Sequence, residues 1–119
     1  MSDERRNLKR SKFAYYMRVV DNQTQQLVGY LDDISPKGFQ LDSRNQFSVN
    51  RDYNLRLDLT TEISDRPFIT FTARCRWSKP DPSDPGSYDA GFQILNITPH
   101  ENEIFQRIVT KYGTQETLW

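Results

Sequence analysis

A short segment between two strand-like runs carries the residue types best suited to binding chemistry. Asp33, Ser35 and Gly38 follow the pattern D-x-S-x-x-G, which places a carboxylate and a hydroxyl together at a predicted turn. Near the start of the chain, Arg6 and Arg10 are four residues apart, so both fall on one side of their segment whether it is extended or helical. A carboxylate and a hydroxyl facing two guanidinium groups suit a ligand that carries both a purine edge and phosphates.

Composition limits the classes of protein to consider. The 119 residues suit a single domain with one modest core. The 16 Lys and Arg residues equal the 16 Asp and Glu residues, and a net charge of zero argues against broad electrostatic binding to nucleic acid. One Cys and one His leave no internal disulfide and no zinc-ligand set. Because no nucleophile elbow, acid–base pair or Gly-rich phosphate loop is visible either, we expect no enzymatic activity, no metal and no cofactor.

Positive charge is concentrated at the start of the sequence. Residues 1–12 hold five basic side chains against two acidic ones and almost no apolar residue, so we expect a flexible basic arm there. No apolar run is long enough to span a bilayer, and no signal-peptide core follows Met1. We therefore expect a soluble, cytoplasmic protein without membrane insertion.

Alternation of apolar and polar residues predicts six short strands. The clearest run places Leu55 and Leu57 on one face and Arg56 and Asp58 on the other. Residues 42–52 are polar and predict a loop, and residues 78–87, with three prolines and one glycine, predict irregular structure. The predicted strands are 13–19, 26–34, 38–41, 53–60, 68–77 and 88–94.

A helix is predicted after the last strand. Thr98 and Glu101 form a capping box, Pro99 stands at the first helical position, and Gly113 marks the end. Six strands followed by one amphipathic helix predict a mainly β fold, a small six-stranded antiparallel barrel with a C-terminal α-helix packed on it. The barrel and helix would occupy residues 13–113, and residues 114–119 would form a tail.

Three single residues carry expectations of their own. The alternation places Trp77 on the inward face of its strand with Cys75, as a core or barrel-end residue. Gly91 lies between apolar residues of the last strand, where a neighbouring backbone or side chain is expected to come close. Trp119 is expected to be a frayed terminus.

The order of these features resembles a PilZ domain, from about Arg5 to about Tyr112. The resemblance consists of R-x-x-x-R at Arg6 and Arg10, the D-x-S-x-x-G motif, a six-stranded barrel, a late strand with a G-F-Q-I run and a C-terminal helix. It implies binding of the bacterial second messenger cyclic di-GMP by a non-enzymatic receptor or adaptor. In that family the first motif closes over the ligand from a flexible segment.

The resemblance also implies site residues and partners. Arg5 matches an arginine that in the family accompanies binding of a stacked, intercalated pair of ligand molecules. A receptor or adaptor also implies a downstream protein, which the sequence does not identify. The expected ligand-binding residues are Arg5, Arg6, Arg10, Asp33, Ser35 and Gly38.

These residue types fit that ligand chemically. Arginine can bond bidentately to guanine O6 and N7 or to phosphate oxygens, and its flat face stacks on a purine. Asp33 only accepts hydrogen bonds, which matches the N1–H and N2–H₂ donors of guanine, and Ser35 adds a polar contact. Gly38 keeps the shape of the turn and leaves room for the ligand.

Two other functions are consistent with the residues. The first is a nucleic-acid-binding barrel, in which the basic arm follows a phosphate backbone and strand aromatics stack on bases. The second is a PilZ-like scaffold that contacts a protein partner and binds no nucleotide.

Overall fold

The computed structural model describes residues 17–119 and shows a closed antiparallel barrel with a helix after it. The strands pair in the order β1-β2-β3-β6-β5-β4, and β1 closes the barrel by pairing with β4. This confirms the mainly β fold predicted from the sequence. Predicted strand residues 13–16 lie outside the described part of the chain. The elements are β1 (Arg18–Asp21), β2 (Leu27–Ser35), β3 (Gly38–Ser43), β4 (Asp52–Asp58), β5 (Phe68–Pro80), β6 (Tyr88–Asn96) and α1 (Pro99–Tyr112).

The inward-facing residues of the strands fill the barrel. Phe39 and Phe92 stack with their ring centroids 5.2 Å apart, and Phe47 packs edge-on against Phe92 from the β3–β4 loop. Leu55 and Leu57 face inward as their alternation predicts, both 1% exposed or less. Each such side chain stabilises the fold by about 1.5–3 kcal/mol when fully buried.

Helix α1 lies across one end of the barrel. It begins at the predicted cap, where the Glu101 N–H donates to the Thr98 hydroxyl, and it ends before Gly113. The helix contacts β2 and β5, which lie on opposite sides of the barrel. Phe105 packs edge-on against Phe71 with ring centroids 6.1 Å apart, so helix and barrel share one core. No helix within residues 17–119 is long and apolar enough to cross a membrane.

Several strands continue beyond their predicted ends, among them β3 to Ser43, β5 to Pro80 and β6 to Asn96. The predicted loops at 42–52 and 78–87 therefore begin too early. The reason is that β6 offers pairing partners, since Tyr88 lies opposite Ser43 on one side and opposite Pro80 on the other. Proline is tolerated at that position because it is the last residue of its strand.

Candidate functional site

The D-x-S-x-x-G segment forms the hairpin between β2 and β3. Ser35 is the last residue of β2 and lies opposite Gly38, the first residue of β3, so Pro36 and Lys37 make a two-residue turn. The Ile34 N–H donates to Asp33 Oδ1 at 2.8 Å, and the Ser35 hydroxyl donates to the Gly38 carbonyl at 3.3 Å. The structure therefore brings the three predicted motif residues together at one corner of the barrel.

A β-bulge aims Asp33 at the outer surface. Leu31 lies opposite Leu41 and Asp33 lies opposite Gln40, so Asp32 is an extra residue between them. A strict period of two would place Asp33 on the same inward face as Leu31. The bulge instead turns Asp33 outward while Leu31 and Ile34 both remain in the core.

Three hydrogen bonds from other parts of the chain hold backbone carbonyl groups of this hairpin. Gln106 of the helix donates from Nε2 to the Pro36 carbonyl at 2.8 Å, and the Ile94 N–H of β6 donates to the Lys37 carbonyl at 2.9 Å. The Thr114 N–H, just past the helix, donates to the Ile34 carbonyl at 2.9 Å. A site built on such a braced turn is ordered before any ligand arrives.

The strands beside the hairpin extend this outer surface. Gly38 lies opposite Gln93 of β6, and Gln40 lies opposite Gly91. A further bulge, with Arg76 as the extra residue, places Trp77 opposite Gly91 on the outer surface. Cys75, two residues earlier, is buried in the core. The prediction that Trp77 shares the inward face of Cys75 is therefore wrong, because a period-two pattern carries no signal for a bulge.

The end of the chain packs onto this surface. A Cβ built on Gly38 would overlap the Trp119 ring, and one built on Gly91 would overlap the Trp77 indole and the Leu118 carbonyl oxygen. The Trp77 Nε1–H donates to that carbonyl at 3.0 Å. The expectation of close approach at Gly91 is confirmed, whereas the expectation that Trp119 is frayed is wrong.

Charged groups of both signs lie along this face. Lys37 is exposed in the hairpin turn, whereas Asp42 and Asp89, opposite each other further along β3 and β6, are buried. A ligand with two phosphates therefore meets one exposed ammonium group at the turn and needs further cations. Arg5, Arg6 and Arg10, which the sequence predicts for that role, lie outside the described residues, so their place in the site remains a prediction.

Arg74 is the basic residue of β5 that lies opposite Gln93. Its guanidinium already binds Asp52, with Nε 2.8 Å from Oδ1. The hydrogen bond from Arg74 lowers the pKa of the Asp52 carboxyl, and the same bond raises the pKa of Arg74. Because of this pairing, Arg74 is a weaker candidate for binding a ligand than an arginine that has no carboxylate partner.

Metal binding and nucleophilic catalysis by Cys75 are two other kinds of chemistry to consider in the described residues. Among residues 17–119, no group of three or more His, Cys, Asp or Glu side chains is placed to hold a metal ion. Cys75 is 0% exposed, and burial raises the pKa of its thiol, which suits a core residue and not a nucleophile.

Comparison with known proteins identifies the fold. The sequence matches the family model "PilZ domain" over residues 4–111. No curated protein sequence matches the chain. The solved structure of the PilZ domain with c-di-GMP of YcgR from Escherichia coli has a TM-score of 0.60 and 14% identity, covering 82% of this chain and 80% of that one.

Two further solved structures share the architecture. MotI/DgrA, the inhibitor of motility of Bacillus subtilis, has a TM-score of 0.65 and 16% identity, and MrkH of K. pneumonia in its apo state has a TM-score of 0.62 and 17% identity. In both comparisons 82% of this chain is covered, but it spans only 47% of MotI/DgrA and 46% of MrkH. Likenesses at these identities show a shared fold.

Proposed function

The chain belongs to the PilZ domain family, and from this premise we propose that it binds cyclic di-GMP and acts as a non-enzymatic receptor or adaptor in signalling. The proposed site residues are Arg5, Arg6, Arg10, Asp33, Ser35 and Gly38, of which Ser35 and Gly38 shape the turn. The observation that carries the proposal is the outward orientation of Asp33 on a braced hairpin, beside Gly38.

Asp33 supplies the guanine-reading part of the site in this proposal. The Ile34 N–H holds one carboxylate oxygen at 2.8 Å, which fixes the direction of the side chain. A carboxylate in this position accepts from the N1–H and N2–H₂ groups of guanine, and adenine lacks that pair of donors. Ser35 is 1% exposed and bonds within the turn, so its main contribution is to hold the backbone beneath the ligand.

In this proposal the arginines supply most of the positive charge that contacts the phosphates. Lys37 is exposed in the hairpin turn, so the turn alone offers two phosphates one ammonium group. Closure of Arg6 and Arg10 over the ligand provides charge-assisted hydrogen bonds worth about 1.5–3 kcal/mol each. Ordering the arm costs about 1 kcal/mol per residue, which predicts moderate affinity and makes binding a conformational signal to a downstream protein.

Titration calorimetry with cyclic di-GMP tests the proposal. We expect Arg6→Ala, Arg10→Ala and Asp33→Ala each to weaken binding about tenfold or more, since each removes at least one charge-assisted hydrogen bond. The Tm of each unliganded variant should stay near the wild-type value. Asp65→Ala, an exposed carboxylate in the β4–β5 loop, serves as the matched control and should bind normally.

GTP and cyclic GMP serve as ligand controls in the same experiment and should give little heat. Wild-type affinity in all three variants would refute the assignment. The titration also measures stoichiometry, for which Arg5 predicts an intercalated pair of ligands per chain. A single ligand per chain would contradict the role of Arg5 and leave the rest of the proposal standing.

A further inference from the structure

Gly38 and Gly91 form a flat area on the outer face of the barrel, which we call the glycine floor. Gly38 of β3 lies opposite Gln93 of β6, and Gly91 is two residues away from Gln93 on the same strand, so the two glycines are diagonal neighbours. Neither has a Cβ, and the Trp77 indole, which comes from the position on β5 opposite Gly91, lies over Gly91. The area over Gly38, beside this indole, therefore suits a flat aromatic ring.

Part of the chain already occupies this floor. The Trp119 ring lies where a side chain of Gly38 would project, and the Leu118 carbonyl lies over Gly91 and accepts the Trp77 Nε1–H at 3.0 Å. The indole of Trp119 is a planar bicyclic group of about the size of a purine base. It therefore rests against the first glycine of β3, directly beside the motif.

Leu118 and Trp119 are joined to the helix by a short exposed segment, so their contacts with the barrel can break without unfolding it. The Thr114 N–H is bonded to Ile34 at 2.9 Å, and the Thr114 hydroxyl accepts from the Glu116 N–H at 3.2 Å. Residues 115–117 are exposed and form no strand or helix, so this linking stretch can move while Thr114 stays attached. Release of Leu118 and Trp119 leaves the barrel and its core unchanged, because neither residue belongs to the buried cluster.

We propose that Leu118 and Trp119 compete with cyclic di-GMP for the glycine floor, so that a base of the ligand takes the place of the Trp119 ring over Gly38. This inference rests on the function proposed above. A site that is open for only a fraction of the time binds with an apparent affinity reduced by that fraction. The tail therefore lowers the affinity of the receptor, and ligand binding releases residues 118 and 119 from the barrel.

Calorimetry on three proteins tests the competition. Trp119→Ala should bind cyclic di-GMP about three- to tenfold more tightly than wild type, because the floor is then open for more of the time. Thr117→Ala changes an exposed residue of the same segment and should bind like wild type. Circular dichroism should show the same folded spectrum for all three proteins.

A second readout follows the tail without any ligand. The chain has two tryptophans, Trp77 and Trp119, so each indole N–H signal in an NMR spectrum can be assigned by one substitution. In Trp119→Ala the Trp77 indole signal should move and its hydrogen exchange should accelerate, because the bond to Leu118 is weakened. Thr117→Ala should leave the signal in place.

The outcomes separate this inference from the function on which it rests. Equal or weaker binding by Trp119→Ala, with normal binding by wild type, overturns the competition and leaves the receptor function intact. Binding by wild type together with tighter binding by Trp119→Ala supports both the competition and the receptor function. Absence of cyclic di-GMP binding in all three proteins overturns the function and the competition together.

Discussion

At the scale of single residues, Glu101 is a buried carboxylate whose role is structural. Its side chain accepts hydrogen bonds from the Thr70 N–H at 2.8 Å and from the Thr98 hydroxyl at 2.9 Å, and it is 8% exposed. Burial raises its pKa, but the hydrogen bonds from Thr70 and Thr98 and the charge of Arg66 outweigh burial and lower the pKa overall. Glu101 thus ties the start of the helix to β5.

We expect Glu101→Gln to destabilise the protein by about 1–3 kcal/mol at pH 7. The carboxylate accepts with both oxygens, one from Thr70 and one from Thr98, whereas a Gln amide has one accepting oxygen and no charge. A group whose pKa is lower in the folded state contributes stability above its unfolded pKa of about 4.5 and loses it as pH falls through the folded value. The difference from wild type should therefore shrink below pH 4. Urea unfolding at pH 7 and at pH 3 measures it.

Glu103→Gln is the control for this prediction. Glu103 lies on the same helix with its side chain 72% exposed, so its substitution should leave the free energy of unfolding nearly unchanged at both pH values. A constant difference between Glu101→Gln and wild type across pH would contradict the role of the ionised carboxylate.

At the scale of elements, the sequence predicts the order of strands and helix but not where individual side chains point. The alternating runs and the capping box at Thr98 are local patterns, so six strands and the start of the helix could be read directly. Bulges at Asp32 and Arg76 break the alternation without any local signal. The outward positions of Asp33 and Trp77 follow from those bulges and so depend on strand pairing across the barrel.

The candidate site, like the fold, could be predicted only where its residues are close in sequence. The motif residues Asp33, Ser35 and Gly38 meet at one hairpin because they are close in sequence. The packing of Trp119 on Gly38 joins positions far apart in sequence and could not be read from local patterns. Gly91 gave one usable signal, since a glycine in a regular strand often marks a close approach.

Gly113 joins two elements, and its substitution tests that junction. It is extended, with φ −91° and ψ −176°, so it is required for space and not for a left-handed backbone. A Cβ there would lie 2.7 Å from the carbonyl oxygens of Ile34 and Val109. We expect Gly113→Ala to cost about 1–3 kcal/mol of stability, because the backbone after the helix must move away from β2.

Thermal or urea unfolding measures this effect, with Thr110→Ala as the control. Thr110 is exposed in the last turn of the same helix, and its change should stay within about 0.5 kcal/mol of wild type. Unchanged stability in Gly113→Ala would show that the helix end is not held against β2 in solution. Since Thr114 bonds to Ile34 beside Asp33, the same variant should also loosen the candidate site.

At the scale of the whole molecule, charge distinguishes a receptor for a small dianion from a nucleic-acid-binding barrel. The chain has a formal net charge of zero, so it has no overall electrostatic attraction for a polyanion. The sequence concentrates positive charge in residues 1–12, which hold five basic side chains. A few cations can neutralise a ligand with two phosphates, whereas a nucleic acid gains its affinity from contacts with many phosphates.

We therefore expect random single-stranded oligonucleotides to bind poorly near physiological ionic strength, where the Debye length is about 8 Å. Fluorescence anisotropy with a labelled oligonucleotide, measured from about 50 to 200 mM salt, checks this, and cyclic di-GMP titrated under the same conditions gives the comparison. Nucleic acid held through many phosphates loses affinity steeply with salt, by about 0.7 in the logarithmic slope per contacted phosphate of a single strand. Cyclic di-GMP, with two phosphates, should show a much shallower dependence. Micromolar oligonucleotide binding with a steep slope, together with no response to cyclic di-GMP, would favour the nucleic-acid function over the receptor function.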